Sequence, residues 1–149
     1  MSEQVMTGGC QCGRVRYSVR VENDEAYLCH CRMCQRATGG FAAAFKNVLQ
    51  ADLEWTHPPD EYASSPIAMR GYCKDCGTPL TFRYPDSPKI DLTVGSFDDP
   101  SGLRPISHFA ADAILHESWL DTRDLPMHRV DEYQPLVDRW IKAIGNLPD

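Results

Sequence analysis

Hydrophobic and polar residues alternate along much of this chain, and the alternation is that of strands. Between Arg14 and Val21 the residues Val15, Tyr17, Val19 and Val21 share one face while Arg14, Arg16, Ser18 and Arg20 share the other, the period of two of a half-buried strand. The arginines are expected to form a solvated face. Leu80, Phe82 and Tyr84 alternate with Thr81 and Arg83, and Ile90, Leu92 and Val94 with Asp91 and Thr93, which predicts two more strands across a turn from Pro85 to Pro88. Tyr27-Leu28, Phe41 to Phe45, Leu53-Glu54-Trp55 and Ile106 to Phe109 add shorter ones. His57-Pro58-Pro59-Asp60 and Ser64-Ser65-Pro66 read as loop punctuation, so the middle of the chain is expected to be a loop-rich excursion. Residues 111–126 carry mixed signals and read as irregular. Gln35 to Thr38 reads as a helical turn ended by Gly39-Gly40. Pro135 to Ile144 reads as a helix, with Leu136, Val137, Trp140, Ile141 and Ile144 at helical spacing, a first-turn proline and a following Gly145.

The cysteines change this picture from a plain β domain to a candidate metalloprotein. Cys29-His30-Cys31-Arg32-Met33-Cys34 brings three thiols close together, Cys10 and Cys12 are spaced C-x-C within a glycine-framed turn, and Cys73 and Cys76 are spaced C-x-x-C ahead of Gly77. Thiolates at such spacings suit zinc, which takes soft ligands in tetrahedral geometry. In extended backbone residues i and i+2 point to one side, so Cys10 and Cys12 can face one ion, and a glycine after C-x-x-C allows the positive φ such a turn often needs. Seven thiols divide naturally into a closed four-ligand site and an open three-ligand site, and an open position distinguishes catalytic from structural zinc. A disulfide framework and a single zinc with three bystander thiols are the alternatives. The odd cysteine count and an N-terminus without a basic or apolar run speak against disulfides.

Size and charge narrow the functional classes. With 149 residues and a hydrophobic fraction of 42%, the chain is expected to be a single domain over 1–149 with a core of its own. No apolar run approaches the roughly 20 residues of a membrane helix, and clustered reduced thiols fit a cytoplasmic location. The formal net charge is −6, and seven thiolates with two zinc ions would take it to about −9. Nucleic-acid recognition begins with a basic face, so a zinc-ribbon nucleic-acid module is disfavoured. Of the five histidines, His57, His116 and His128 fall in apparent loops, while His30 and His108 are the functional candidates. Beside the cysteines, His30 points away from the face they share and suits a supporting role.

Gly9-Cys10-Gln11-Cys12-Gly13, Cys29-His30-Cys31-Arg32-Met33-Cys34, Cys73-Lys74-Asp75-Cys76-Gly77, Gly95-Ser96-Phe97-Asp98-Asp99-Pro100 and the region from His108 to Trp119 together resemble the glutathione-dependent formaldehyde-activating enzyme family, which includes centromere protein V. The resemblance implies a mostly β, Mss4-like zinc-binding fold of short antiparallel strands with cysteine knuckles and a short C-terminal helix. It implies two zinc ions per chain: a structural one on Cys10, Cys12, Cys73 and Cys76, and a second on Cys29, Cys31 and Cys34, the catalytic, open site. It further implies a zinc-dependent carbon–sulfur lyase of the S-hydroxymethylglutathione synthase type, acting on glutathione or a related thiol and a small aldehyde; the acidic charge and the lack of a long apolar run add the expectation of no nucleic-acid or membrane partner. A non-enzymatic zinc module that binds a protein or a thiol is the alternative. Because a thiolate joining three others adds negative charge, nearby cations would help to hold it; Arg32 and Arg36, with His30, are the substrate-binding candidates, and Lys74 a further cation.

Overall fold

A computed structural model describes residues 3–148; Met1, Ser2 and Asp149, which belong to the expected 1–149 domain, lie outside the described residues. Ten strands and two α-helices follow one another as β1 (Gln4–Gly9), β2 (Arg16–Val21), β3 (Glu25–Cys29), α1 (Arg32–Thr38), β4 (Ala43–Leu49), β5 (Leu53–His57), β6 (Asp60–Ser65), β7 (Ala68–Tyr72), β8 (Pro79–Arg83), β9 (Lys89–Thr93), β10 (Arg104–Phe109) and α2 (Gln134–Ile144). The chain falls into two compact units, Met1–Leu115 and His116–Asp149. The first holds every strand and α1. The second holds short 3-10 turns and α2, which starts with Pro135 in its first turn and ends on Gly145 in the left-handed conformation, the terminal signals the sequence carries.

Within the first unit the strands form two sheets, a three-stranded one in the order β1-β2-β5 and a seven-stranded one in the order β10-β3-β4-β9-β8-β7-β6. Tyr17, Val19 and Val21 of β2 pack with Val48 of β4 and Ile90 and Leu92 of β9, so the alternating apolar face read from the sequence is the face that joins the sheets. Burying side chains of this size contributes about 1.5–3 kcal/mol each. Tyr17 lies edge-on to both Trp55, with ring centroids 5.4 Å apart, and Phe97, at 5.7 Å, and its hydroxyl meets Ser96 Oγ at 2.8 Å. Arg14 and Arg16 do not form the solvated face expected of them. Arg16 makes a two-point ion pair with Asp98, at 2.8 and 2.5 Å, and Arg14 reaches Asp60 and the cysteines.

The middle of the chain corrects the loop-rich expectation. Residues 60–72 form the hairpin β6–β7, paired from Asp60↔Tyr72 to Ser65↔Ala68. Pro58 and Pro59 stand before β6 and Pro66 falls in the turn, so no proline sits where a ladder N–H is needed. β1 is a second strand the sequence hid, because Gly8 and Gly9 read as turn residues. A Cβ on Gly8 would collide with the Ser96 carbonyl and the Tyr17 ring, so glycine there permits close packing of β1 over β2. All named pairings are antiparallel except one: β10 runs parallel to β3 at the end of the larger sheet.

Candidate metal centres and the groove above them

Two clusters of thiols form, with the memberships the cysteine spacing suggests: Cys10, Cys12, Cys73 and Cys76 in one, Cys29, Cys31 and Cys34 in the other, the sulfurs of each lying within 4.8 Å of one another. All seven are free thiols, which removes the disulfide framework.

The four-thiol cluster is built from two turns of similar design. In the first, the Cys10 amide donates to the Val15 carbonyl at 3.1 Å and Gly13 turns the chain at φ 83°. In the second, the Cys73 amide donates to the Thr78 carbonyl at 3.0 Å and Gly77 turns it at φ 79°. Positive φ at these points is cheap only for glycine. The Gln11 amide donates to Thr78 Oγ1 at 3.1 Å and joins the two turns. Sulfur separations of 3.5 Å for Cys10 and Cys12 and 3.7 Å for Cys12 and Cys73 match the roughly 3.8 Å of a tetrahedron with metal–sulfur bonds of about 2.3 Å. Donors surround the sulfurs: the Val15 amide reaches Cys10 Sγ at 3.2 Å and Arg14 Nε reaches Cys73 Sγ at 3.4 Å. The hydroxyl and amide of Thr78 hold the Cys76 thiol down at about 5. Arg14 is itself fixed by Asp60, by Asp75 at 3.3 Å and by His57 Nε2 at 3.2 Å. A ring of N–H donors around a thiolate set is what a closed metal site requires.

The three-thiol cluster lies where β3 meets α1. Cys29 ends β3, Cys31 caps α1 with its Sγ accepting the Cys34 amide at 3.3 Å, and Cys34 sits inside the first turn of the helix. Two buried side chains fix this bend. Gln35 donates to the His30 carbonyl at 2.8 Å and to the Ala113 carbonyl at 3.2 Å. His30 is 1% exposed and lies behind the bend, its Nε2 2.8 Å from His108 Nδ1 and its amide donating to the Phe109 carbonyl at 2.9 Å. Burial pushes the His30 imidazole below its ordinary pKa, so it stays neutral at pH 7. Burial pushes the Cys29 thiol up, to about 12. Against the same burial, the Cys34 amide, the two neighbouring thiols and the Arg70 charge hold Cys31 below its ordinary value.

Arg32 and Arg36 lie on the exposed side of α1, with Arg32 hydrogen-bonded to Gln35, and Lys74 is exposed at the other cluster. The cation that meets the three-thiol cluster, at Cys34, is Arg70 on β7, which the sequence did not single out. It is 6% exposed, donates from Nη2 to Cys34 Sγ at 3.3 Å, and lies 4.8 Å over the Phe82 ring. Among the described residues none of the ion pairs includes it, so its counter-charge is the thiol cluster. Alternation could not reveal it, because Ala68, Arg70 and Gly71 are all buried and β7 has no polar face to mark.

All three cysteines open onto one groove of about 900 Å³ along the larger sheet. Phe45, Phe82, Tyr27 and Arg70 line its inner part, and Asn47, Lys89 and Asp91 its far end. Cys31 is partly exposed, whereas Cys29 and Cys34 are buried, so access to the cluster is past Cys31.

Comparison with known proteins adds to this geometry. A family model described as glutathione-dependent formaldehyde-activating enzyme matches residues 5–112. A protein of Schizosaccharomyces pombe named as an uncharacterized lyase is 31% identical over 77 residues, which cover 52% of this chain and 56% of that one. The match thus spans little more than half of that relative's length. A crystal structure of a Rhodobacter sphaeroides protein resembles the fold with a TM-score of 0.56 at 24% identity, over 69% of this chain and 99% of the other.

Proposed function

Because the chain belongs to the glutathione-dependent formaldehyde-activating enzyme family, we propose that it is a zinc-dependent carbon–sulfur lyase that joins a small thiol such as glutathione to formaldehyde or a related aldehyde, and splits the adduct in reverse. The observation that carries this reading is the convergence of three thiols and a buried arginine at the inner end of one groove. Cys10, Cys12, Cys73 and Cys76 would hold a structural zinc, and Cys29, Cys31 and Cys34 a second one. A zinc held by only these three thiolates would supply Lewis-acid chemistry that favours a substrate thiol as its nucleophilic thiolate.

The side chains supply the rest. Arg70 carries a permanent positive charge beside Cys34, so it offsets the negative charge that an arriving thiolate adds to the cluster. Phe45 and Phe82 exclude water from the inner groove, which strengthens that attraction. The Cys34 amide and Arg70 occupy lone pairs of Cys31 and Cys34, which keeps these sulfurs oriented as ligands. His30 and Gln35 hold the bend from behind and touch neither substrate nor groove in this scheme. In the forward direction the thiol gives up its proton, its sulfur bonds to the carbonyl carbon, and the carbonyl oxygen takes up a proton. In reverse the hydroxyl proton leaves and the carbon–sulfur bond breaks.

Adduct formation also proceeds without a protein, so the test is the rate above that background. The expected result is turnover that saturates in glutathione and is lost in Cys31→Ser together with about half of the bound zinc. A rate no greater than the uncatalysed one in a fully metal-loaded protein overturns the lyase reading and leaves a zinc-dependent thiol- or protein-binding module.

A further inference from the structure

The far end of the groove holds a carboxylate without a cation. Asp24, Asp52, Asp60 and Asp98 each meet an arginine. Asp91 is 8% exposed, the one buried carboxylate among the described residues, and none of their ion pairs includes it. Its Oδ1 accepts from Asn47 Nδ2 at 2.9 Å, and the Tyr27 hydroxyl is a second neighbour. Burial pushes this carboxyl above its ordinary pKa, with Asn47, Tyr27 and Lys89 only partly opposing it. A buried acid in that state gains from any cation that enters beside it.

Lys89 lies two residues before Asp91 on β9, hence on the same face at a spacing of about 6.5–7 Å, and it is exposed at the groove's edge. A negative group and a positive group at that separation match the two ends of an α-amino-acid head, ammonium toward Asp91 and carboxylate toward Lys89. The register gives the distance to the thiols. Cys29 pairs with Ala43 and Asp91 with Asn47, so four residues of β4 separate the two positions, about 13 Å of backbone. Side chains leaning inward shorten that span. Cysteine or cysteamine is too short to bridge it, whereas a tripeptide-sized thiol is long enough at about 3.3–3.6 Å per residue.

We propose that Asp91 and Lys89, with Asn47 and Tyr27 holding Asp91 in place, form a subsite for the zwitterionic α-amino-acid head of a short peptidyl thiol whose sulfur reaches Cys29, Cys31 and Cys34. The proposal rests on the lyase reading of the same groove and adds the part of the substrate that is recognised away from the chemistry. It also predicts selection by length and by free amine, which a three-thiolate centre alone does not provide.

The test compares glutathione, N-acetylglutathione and cysteinylglycine as substrates of the zinc-loaded protein, with calorimetric titration of the glutathione analogue in which a methyl group replaces the thiol. In the unaltered protein, N-acetylation and removal of the γ-glutamyl group are each expected to raise KM about tenfold. In Asp91→Asn, which keeps an oxygen for Asn47, the ratio of KM for N-acetylglutathione to KM for glutathione should fall to near one. Lys89→Gln, an exposed change that spares the core, should weaken the methyl analogue several-fold. A ratio of one in the unaltered protein, or an unchanged ratio in Asp91→Asn with an unchanged melting temperature, overturns the subsite. If Asp91→Asn does not fold, the Lys89→Gln titration decides alone, and unchanged binding of the analogue overturns the subsite. Binding of the analogue that depends on Lys89, in a protein without turnover, upholds the subsite while the lyase reading fails.

Discussion

Arg70 shows how much one buried side chain can set at the candidate centre. A guanidinium hydrogen-bonded to a thiolate and stacked on an aromatic ring has little water to screen it, and hydrogen bonds to charged groups of this kind contribute about 1.5–3 kcal/mol. Arg70→Gln is therefore expected to raise the KM for the thiol roughly tenfold, which is about 1.4 kcal/mol of binding, and Arg70→Lys to recover part of that. Arg32→Gln, on the exposed side of α1, should leave KM unchanged; steady-state kinetics on the three variants with zinc content measured in parallel checks both statements. The contrast also marks the limit of the sequence at this scale. Cysteines identify themselves by spacing, because short C-x-C and C-x-x-C turns leave few other uses for paired thiols. Arginines do not, and proximity in sequence favoured Arg32 and Arg36 although the chain brings Arg70 in from a strand 36 residues away from Cys34.

At the scale of elements, β1 and β2 are held to the turn after β9 by Asp98, which accepts from Thr7 Oγ1 at 2.6 Å as well as from Arg16. Arg16 and Thr7 hold this carboxyl down at about 2, below the roughly 3.9 of an unfolded aspartate. The unfolded chain then binds more protons between those values, so the stabilisation is complete above pH 5 and disappears as the pH falls through 2. Both partners are partly exposed, which limits the effect to about 1 kcal/mol. Asp98→Asn should lower the melting temperature by about 2–4 °C at pH 7 and by progressively less toward pH 3, as thermal scans across that range would show. Gly8→Ala should cost more, about 1–3 kcal/mol, because overpacking there pushes β1 off the Tyr17 ring and the Ser96 carbonyl; denaturant melts give the difference directly. Alternation predicted β2, β8 and β9 because each has one apolar and one polar side to display. It missed β1, whose glycines exist for close packing, and the β6–β7 hairpin, whose prolines read as loop although they stand just before β6 and in the hairpin turn.

For the whole molecule, the proposed division of labour between the two thiol clusters follows from where their chains come from. Cys10 and Cys12 stand in the β1–β2 connection and Cys73 and Cys76 in the β7–β8 connection, so the four-thiol cluster clasps the smaller sheet to the larger. Losing one of its ligands leaves three thiolates and loosens that joint. Cys76→Ser is expected to cost more than about 4 kcal/mol, as loss of a structural metal does, whereas Cys31→Ser should keep its fold and melt within a few degrees of the unaltered protein. Circular dichroism melts with metal analysis on both variants decide this, and equal unfolding in the two would remove the division of labour. The apolar faces and the thiol spacing made a mostly β fold with two clusters of thiols legible in the sequence. The groove was not legible, since it is formed by side chains from β3, β4, β7, β8 and β9 that meet only once the larger sheet is assembled.

The parallel pairing of β10 with β3 has a consequence in time as well as in space. His30 and His108 are 78 residues apart, and contacts of such long range form late because the chain between them must first be ordered. During synthesis the chain emerges from its N-terminus at about 5–20 residues per second, so β3 and the bend that carries Cys29, Cys31 and Cys34 spend several seconds without the strand that later backs them. The amide of His30 has no Phe109 carbonyl to bind in that interval. An ion could therefore enter the three-thiol bend from the side that β10 eventually closes, and become enclosed when that strand docks. Pulsed amide exchange during refolding should find the His30 amide protected after those of β4 and β9, and zinc added before β10 docks should be taken up faster than zinc added to the folded apoprotein.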